Sequence, residues 1–295
     1  MAILIGGPTA SGKTQLAYEL QSRIPSVIIN SDSMQVYNDL KILTNIPSKN
    51  DLKQFNCELF GFINYPKSCS LGFWKENVEL ILKNKEKIIP IFVGGTGLYL
   101  DSLIHGISPI PKTPEKIRLK IRNIHKKLGN HYFFEKLKKI DKKYSQIISK
   151  NDSQRILRAM EVKVVTGKPF SKWHEIKMKG IFERYIYVVI KNDRGALYKR
   201  INERCSSMVE AGVIEEVDGF LKKKRSKNHP IYKSIGLESF EQYLNGQITL
   251  DDSISDFMQE TRRYAKRQIT WFKNRSKHSK HLNLNQAKNF ILRNI

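Results

Sequence analysis

The chain has 295 residues, of which 40% are apolar, enough to bury a substantial core and to exclude a chain that is disordered throughout. Its 52 basic and 28 acidic residues give a formal net charge of +24 at pH 7. This excess favours a polyanionic partner, because neutralised phosphates release counterions. Nucleic acid is the first class of partner to consider and an anionic membrane surface the second. Alternatively, part of the lysine excess only keeps the protein soluble.

Cysteine usage and the apolar runs indicate the compartment. Cys57, Cys69 and Cys205 are widely spaced, form no CxxC pair and have no histidine cluster at zinc-ligand spacing, so we expect a reduced, cytoplasmic environment. The apolar start, Met1 to Gly6, has no basic leader and continues into glycines, which is typical of a strand rather than a signal peptide. No apolar run approaches membrane-spanning length.

Strands and helices alternate in the first part of the chain. Apolar runs at Ala2–Ile5, Ser26–Ile29 and Ile88–Val93 predict buried strands. Apolar residues at helical spacing lie between them, at Leu16, Ala17, Leu20 and Ile24 and again at Phe73, Trp74, Val78, Ile81 and Leu82. This alternation predicts an α/β fold with a parallel sheet and helices on both faces.

A lysine-rich helical block follows. Residues 112–179 contain 20 basic and 6 acidic residues, which is +14 of the total +24. The residues predicted to form one apolar stripe in this block are Ile117, Ile121, Ile124 and Leu128. Strand character returns at Tyr185–Ile190, so we predict an inserted, all-helical, basic subdomain over 109–179 within a core formed by 1–108 and 180–295. The remainder is expected to be helical to about Asn274, with a polar tail and a weak last helix after Lys277.

The first predicted loop matches the phosphate-binding pattern G-x-x-x-x-G-K-[ST], between a strand and a helix. Its residues are Gly7, Pro8, Thr9, Ala10, Ser11, Gly12, Lys13 and Thr14. Glycines allow backbone N–H groups to turn towards a phosphate, Lys13 adds a positive charge, and Thr14 can bind Mg²⁺. The loop alone does not distinguish ATP, GTP or another diphosphate ester. An ATPase commonly has an Asp after a neighbouring strand, and Asp32 is the only comparable acid.

Further segments complete a recognisable series. They are Asp32-Ser33-Met34-Gln35-Val36-Tyr37, Gly94-Gly95-Thr96-Gly97-Leu98-Tyr99, Asp152-Ser153-Gln154-Arg155-Ile156-Leu157-Arg158-Ala159-Met160-Glu161-Val162, Arg200-Ile201-Asn202-Glu203-Arg204 and Thr261-Arg262-Arg263-Tyr264-Ala265-Lys266-Arg267-Gln268-Ile269-Thr270-Trp271. With the phosphate-binding loop, their order and spacing resemble the tRNA dimethylallyltransferase family from residue 3 to about 275.

The resemblance implies transfer of a dimethylallyl group from dimethylallyl diphosphate to the exocyclic amine of the adenosine just 3′ of the anticodon, in tRNAs reading codons that begin with U. The P-loop then holds the diphosphate leaving group, with Mg²⁺ as the cofactor. Asp32 matches the family's general base, with metal binding or loop capping as the alternative. Thr96 matches a family residue near the bridging oxygen of the diphosphate; alternatively, it is only a turn residue between glycines. A cytoplasmic monomer is also implied.

The resemblance implies tRNA contacts as well. The matched positions are Asp32, Ser33, Met34, Gln35, Thr96, Arg118, Gln154, Arg155, Ile156, Leu157 and Arg158. On a helix, Arg155 and Arg158 share a face, and a solvated basic face is the alternative reading. We expect the target base to leave its stack and enter a channel between core and inserted helices. Arg262, Arg263, Lys266 and Arg267 offer another phosphate-facing surface, whereas Phe257, Tyr264 and Phe272 are expected in the core.

Two departures from the family pattern and two rival functions remain. Asn56-Cys57-Glu58-Leu59 stands where the family usually has Pro-His-His-Leu, and Leu237-Glu238 stands where it commonly has an aromatic and a cation. A P-loop small-molecule kinase would also use the phosphate-binding loop and Asp32, but would leave the basic insertion unexplained. A nucleotide-gated RNA-binding module would use the basic helices without making a bond.

Overall fold

The computed structural model describes residues 1–85, 88–176 and 178–295. They form two compact units. The first, here called the sheet unit, combines Met1–Ile104 with Ile181–Ile295, and the second, here called the helical unit, spans His105–Gly180. Lys177, one of the basic residues counted in the predicted insertion, lies outside the described residues.

The sheet unit is built on a six-stranded sheet, as far as the described residues show, and every strand pairing is parallel. The strands are β1 (Ala2–Gly6), β2 (Ser26–Asn30), β3 (Cys57–Glu58), β4 (Ile89–Gly94), β5 (Tyr185–Ile190) and β6 (Lys280–Leu282), in the order β3-β2-β4-β1-β5-β6. Gly6 pairs with Gly94, and Asn30 pairs with Val93. The loops that follow β1, β2 and β4 therefore begin at one edge of the sheet, where parallel α/β sheets bind ligands.

Helices cover both faces of this sheet, and the predicted fold class is confirmed. The helices in chain order are α1 (Lys13–Gln21), α2 (Lys49–Gln54), α3 (Leu71–Asn84), α4 (Gly97–His105), α5 (Glu115–Ile140), α6 (Lys142–Ser145), α7 (Ser153–Thr166), α8 (Phe170–His174), α9 (Arg194–Glu210), α10 (Val213–Leu221), α11 (Leu237–Leu244), α12 (Leu250–Arg275) and α13 (Leu284–Arg293). Successive strand residues point to opposite faces. Leu4 packs in a cluster with residues of α3, α9 and α12, while Ile5 packs in another with residues of α1 and α13.

The helical unit has its own core, formed by residues of α5, α6, α7 and α8 that include Ile121, Phe133 and Ile156. The predicted apolar stripe on α5 is only partly correct, because Ile124 and Leu128 are exposed. The stripe shares one helical face, but only its first half is covered. Gly129, directly after the stripe, has a φ of 77°, which interrupts the helical geometry of α5.

The C-terminal tail is more ordered than the sequence predicted. Residues Lys280–Leu282 extend the sheet as β6, pairing with β5 from Val188 to Ile190. Helix α13 begins with a capping box between Asn283 and Gln286 and buries Ala287 and Ile291 against the sheet face that carries α1. The weak last helix of the sequence interpretation is thus a packed part of the sheet unit.

We expect Ile291→Ala to lower the free energy of unfolding by roughly 2–4 kcal/mol, because it removes a fully buried side chain and leaves a cavity. Urea denaturation monitored by circular dichroism measures the loss of unfolding free energy. Ile295→Ala is the matched control, since Ile295 is exposed and its truncation should change the free energy by less than about 0.5 kcal/mol. Equal effects of the two substitutions would contradict the packing of α13 described above.

Candidate active site

The phosphate-binding loop lies between β1 and α1 and adopts a backbone that ordinary residues avoid. Gly12, at the N-cap of α1, has a φ of 89°, and Ala10 has a φ of 58°. Thr14 is in the first turn of α1 and lines a cavity of about 400 Å³ together with the rest of the loop from Thr9 onwards. The N-terminus of a helix provides unpaired N–H groups and partial positive charge, so this cavity suits an anion.

Lys13 supplies the charge of this loop and is almost completely buried. Its Nζ donates hydrogen bonds to the carbonyl oxygen of Pro8 and, at 3.3 Å, to Oγ of Ser11. Burial lowers the pKa of Lys13 to about 7; the nearby Asp32 carboxylate opposes this shift, and the Arg204 guanidinium adds to it. An anion bound in the cavity would restore the charge of this ammonium group.

Two arginines of α9, Arg200 and Arg204, line the same cavity. Both belong to a segment that carries the resemblance, but no role was predicted for them from the sequence. Arg204 donates from Nη2 to Oγ1 of Thr9 at 2.6 Å. Within the part of the chain that the structure describes, Nε of Arg204 and Nε and Nη2 of Arg200 are buried without a hydrogen-bond partner. Buried donors without partners are costly, so their presence beside the phosphate-binding loop indicates an anionic ligand.

Asp32 is held by the loop that follows β2. The side chain of Asn30 accepts from the amide of Asp32 at 2.9 Å and donates to the carbonyl oxygens of Asp32 and Leu59. Oδ1 of Asp32 accepts from the amide of Met34 at 2.9 Å, so the loop-capping role is present. The other oxygen, Oδ2, lies beside Gly95. Because only one carboxylate oxygen caps the loop, capping does not exclude a second role.

Helix α12 presses onto the glycine-rich loop after β4, and this explains its glycines. A Cβ on Gly95 would overlap the amide nitrogen of Gln268, and a Cβ on Gly97 would overlap the ring of Trp271. Oε1 of Gln268 accepts from the amide of Thr9 at 2.8 Å, and its Nε2 donates to the carbonyl oxygen of Gly95 at 3.1 Å. One side chain therefore joins the phosphate-binding loop to the loop that carries Thr96.

Thr96 is half-buried and lines neither the first cavity nor a second one, but it bonds to Ser33, which lines the second. Its Oγ1 accepts from the amide of Ser33 at 3.0 Å and donates to Oγ of Ser33 at 3.2 Å. The hydroxyl of Tyr264 interacts with the side chains of Thr96 and Gln268. Tyr264 and Ser33 both line this second cavity, so the expectation that Tyr264 belongs to the core is wrong.

The second cavity, of about 280 Å³, adjoins the first and has a more apolar lining. Thr9, Asp32, Gln35, Asn45 and Arg204 line both cavities. The apolar side chains of the second cavity are Met34, Leu43, Met208, Ile235 and Phe257. Phe257, which was expected in the core, is also buried in the main apolar cluster.

The loop that carries Leu43, Thr44 and Asn45 is fixed from two directions. The Glu216 carboxylate accepts from the amides of Ile42 and Leu43 at 2.9 Å. The Gln35 amide donates to the carbonyl oxygens of Thr44 and Asn45, at 3.1 and 2.6 Å. Gln35, matched by resemblance to a tRNA contact, is thus engaged in shaping the cavity wall.

The matched residues of the helical unit differ in their availability. Gln154 and Arg155 are exposed; the Arg155 side chain is 66% exposed and pairs with Asp152 at 2.6 Å. Ile156 is fully buried in the core of the unit, so only its backbone could contact a tRNA. Leu157 packs partly against that core.

Arg118 and Arg158 converge on Glu161, which is buried. The carboxylate of Glu161 lies 3.8 Å from Nε of Arg118 and 3.7 Å from Nη1 of Arg158. Arg158 also donates to Oγ1 of Thr113 at 2.7 Å. Arg155 and Arg158 therefore start three residues apart on α7 but have different partners.

The two departures from the family pattern lie outside the cavities described above. Cys57 and Glu58 form β3, and Glu58 pairs with Lys85 at 2.8 Å. Leu237 is buried in the main cluster, and Glu238 is exposed. Residues 1–85, 88–176 and 178–295 contain no cluster of three or more His, Cys, Asp or Glu side chains suited to a metal, and no helix apolar and long enough to cross a membrane.

Comparisons with known proteins agree with the motifs. The family model described as IPP transferase matches residues 35–275. The tRNA dimethylallyltransferase of Pelagibacter ubique is 44% identical over 277 residues, which cover 92% of this chain and 88% of that protein. The tRNA dimethylallyltransferase of Bartonella tribocorum is 40% identical over 272 residues, which cover 92% of this chain and 94% of that protein.

A solved structure of the same kind shares the fold. The full-length tRNA isopentenylpyrophosphate transferase of Bacillus halodurans superimposes with a TM-score of 0.69 at 28% identity, over 99% of this chain and 95% of that one. A structure described as a eukaryotic dimethylallyltransferase acting on tRNA gives a TM-score of 0.79 at 25% identity, over 92% of this chain and 69% of that one. The resemblance inferred from the sequence is confirmed, and this chain belongs to the IPP transferase family.

Proposed function

We propose that this protein transfers a dimethylallyl group from dimethylallyl diphosphate to the exocyclic amine of the adenosine 3′ of the anticodon, in tRNAs reading codons that begin with U. One observation carries the proposal: Asp32 lines both the cavity of the phosphate-binding loop and the adjoining apolar cavity. A carboxylate is thereby placed next to a diphosphate site and an apolar site at once. The family relationship supports the substrates.

The diphosphate of the donor would bind in the first cavity. Lys13, the loop amides and Arg204 supply positive charge and N–H donors there, and the unpartnered Nε of Arg204 is available to the ligand. Mg²⁺ suits this site, because it is commonly held by one or two protein oxygens together with phosphate oxygens. Thr14 provides such an oxygen at the cavity wall. When bound, the ion would neutralise charge on the departing diphosphate.

Asp32 would act as the general base. The amine nitrogen forms a bond to the allylic carbon, the bond from that carbon to oxygen breaks, and its electron pair leaves with the diphosphate. A proton of the amine passes to the Asp32 carboxylate. The apolar side chains of the second cavity, Met34 and Phe257 among them, would contact the dimethylallyl group and exclude water.

The helical unit would bind the tRNA. It carries most of the excess positive charge, and its Arg155 and Gln154 are exposed on α7. The adenosine would have to leave its stack, because its amine is otherwise inaccessible to Asp32. A tRNA substrate is consistent with a cytoplasmic protein.

Incubation with unmodified tRNA and either radiolabelled dimethylallyl diphosphate or γ-labelled ATP tests the proposal. We expect label to enter tRNA only from the prenyl donor. Phosphoryl transfer from ATP would instead identify a kinase, and tRNA binding without any transfer would identify an RNA-binding module.

Substitutions of Asp32 separate its two roles. Asp32→Ala should lower the transfer rate by about three orders of magnitude or more, since it removes the base. Asp32→Asn keeps an oxygen that can accept from the amide of Met34, so the loop cap is retained while the base is lost. Single-turnover kinetics should show a similar loss for both variants. A nearly active Asp32→Asn enzyme would mean that the residue only caps its loop.

The contribution of Arg155 is measurable through salt. Arg155→Gln should reduce the slope of log affinity for tRNA against log salt by roughly 0.7–0.9, the value for one phosphate contact. Filter binding over a range of KCl concentrations gives the slope. Arg23→Gln is the control, because Arg23 is exposed just before β2, at the sheet edge opposite the cavities. An unchanged slope for Arg155→Gln would show that this arginine faces away from the tRNA.

Diphosphate binding should take up a proton through Lys13. In the ligand-free protein, a pKa of about 7 leaves the Lys13 side chain mostly deprotonated at pH 8. A bound anion would raise that pKa. Affinity for inorganic diphosphate with Mg²⁺ should therefore fall by up to about tenfold per pH unit above pH 7, beyond the ligand's own titration. Calorimetry in buffers of different ionisation enthalpy measures the uptake. Lys13→Arg is the control for protons taken up by the diphosphate itself, because an arginine is protonated throughout this pH range. Equal proton uptake by the two proteins would refute the prediction.

A further inference from the structure

Helix α9 runs alongside both cavities and changes its chemical character between them. Arg200 and Arg204 line the cavity of the phosphate-binding loop, and Arg204 and Met208 line the more apolar one. Because these three residues follow one another at intervals of four, they share one side of the helix and are separated by about 6 Å from each to the next. The side of α9 towards the cavities is thus cationic at two successive turns and apolar at the third.

Helix α12 lines the same cavities in the opposite direction. Gln268 lines the first cavity, whereas Thr261 and Phe257, earlier in the helix, line the second. Sγ of Cys205, on α9, lies 3.9 Å from Oγ1 of Thr261. Met208 follows Cys205 by three residues and Phe257 precedes Thr261 by four, so one further turn of both helices brings these two apolar side chains level with each other.

The second cavity has a buried end and an exposed end. Met208 and Phe257 are 5% and 3% exposed and belong to the main apolar cluster. Lys233 and Arg267, in contrast, are exposed, and both also line a third cavity of about 270 Å³. An adenosine attached to a tRNA must enter from the exposed end, where cations suit its phosphates. The buried end is left for a group without polar atoms, such as the dimethylallyl group.

The length of the donor matches the spacing along α9. Asp32 and Arg204 line both cavities, so the bond that breaks is expected beside them, with the diphosphate on one side and the hydrocarbon on the other. One helical turn, about 6 Å, separates Arg204 from Met208. A dimethylallyl group extends only four carbons from the leaving oxygen and fits within this turn. A chain longer by another isoprene unit would meet the Met208 side chain.

We propose that Met208 determines which allylic diphosphates are accepted, by closing the buried end of the second cavity against the terminal methyl groups of the donor. This inference rests on the proposed function. Met208 takes no part in making or breaking bonds; it selects the donor by excluding longer chains. An unbranched methionine side chain fills an irregular apolar gap well, and its place on a helix fixes where the cavity ends.

A donor with a longer tail tests this proposal. The probe is 3-methylhex-2-enyl diphosphate, in which a propyl group replaces one terminal methyl group, used as both double-bond isomers. Met208→Ala removes every side-chain atom beyond Cβ, which makes room for the two added carbons. We expect it to raise the ratio of kcat/KM for the probe to kcat/KM for dimethylallyl diphosphate at least about tenfold with one isomer. Mass spectrometry of the nucleosides of the product tRNA measures both transfers.

Met258→Ala is the matched control, because Met258 also packs against the main apolar cluster but lines neither cavity, so the ratio should not change. Met208→Val keeps volume near the backbone and removes the tip of the side chain; it should raise the ratio by a smaller factor and replaces Met208→Ala if that variant does not fold. An unchanged ratio in a folded Met208 variant, or a change confined to the KM for tRNA, would overturn the proposal. Absence of dimethylallyl transfer by the unsubstituted protein would refute the proposed function instead, so the two failures are distinguishable.

Discussion

The amide of Gln268 is the contact on which the arrangement of the site depends. It joins two loops that the parallel sheet brings to one edge, by accepting from Thr9 and donating to Gly95. Neither loop is held there by strand pairing, since β1 ends at Gly6 and β4 at Gly94. The glycines of the second loop make room for Gln268 and Trp271, so two distant sequence segments have complementary shapes. Positional precision of this kind favours catalysis, in which small misplacements of reacting groups are costly.

Charge is distributed between the two units according to what each would bind. The sheet unit buries Lys13 and Nε of Arg204, where low polarity strengthens their attraction to a diphosphate. The helical unit spreads its cations over an exposed surface, where contacts with phosphates are individually weak and sensitive to salt. Buried charge suits a small ligand that is fully desolvated, and exposed charge suits a large polyanion that stays hydrated.

The sequence predicts those features that local pattern determines. The four long strands, the phosphate-binding loop and the position of Asp32 after β2 follow from apolar runs and turn residues. Gln268 and Arg204 lie in segments that carry the resemblance, but their contacts with Thr9 were not predicted, because Thr9 lies 259 and 195 residues away and spacing carries no information over that separation. Strand β6 was missed because three residues show no clear alternation and become a strand only beside β5. The stripe on α5 was wrong at Ile124 and Leu128, because helical spacing shows which residues share a face but not how far along the helix that face is covered.

Both margins of the sheet end in very short strands, and this bears on how the protein behaves in crowded solution. β3 has two residues and carries Glu58, while β6 has three and carries Lys280. Long, flat, apolar margins invite other chains to pair with them and so promote aggregation, whereas brief charged ones offer few free backbone groups. The central strands, β1 and β4, are apolar enough to aggregate if exposed. The two charged margins thus protect them from intermolecular pairing without a separate capping element.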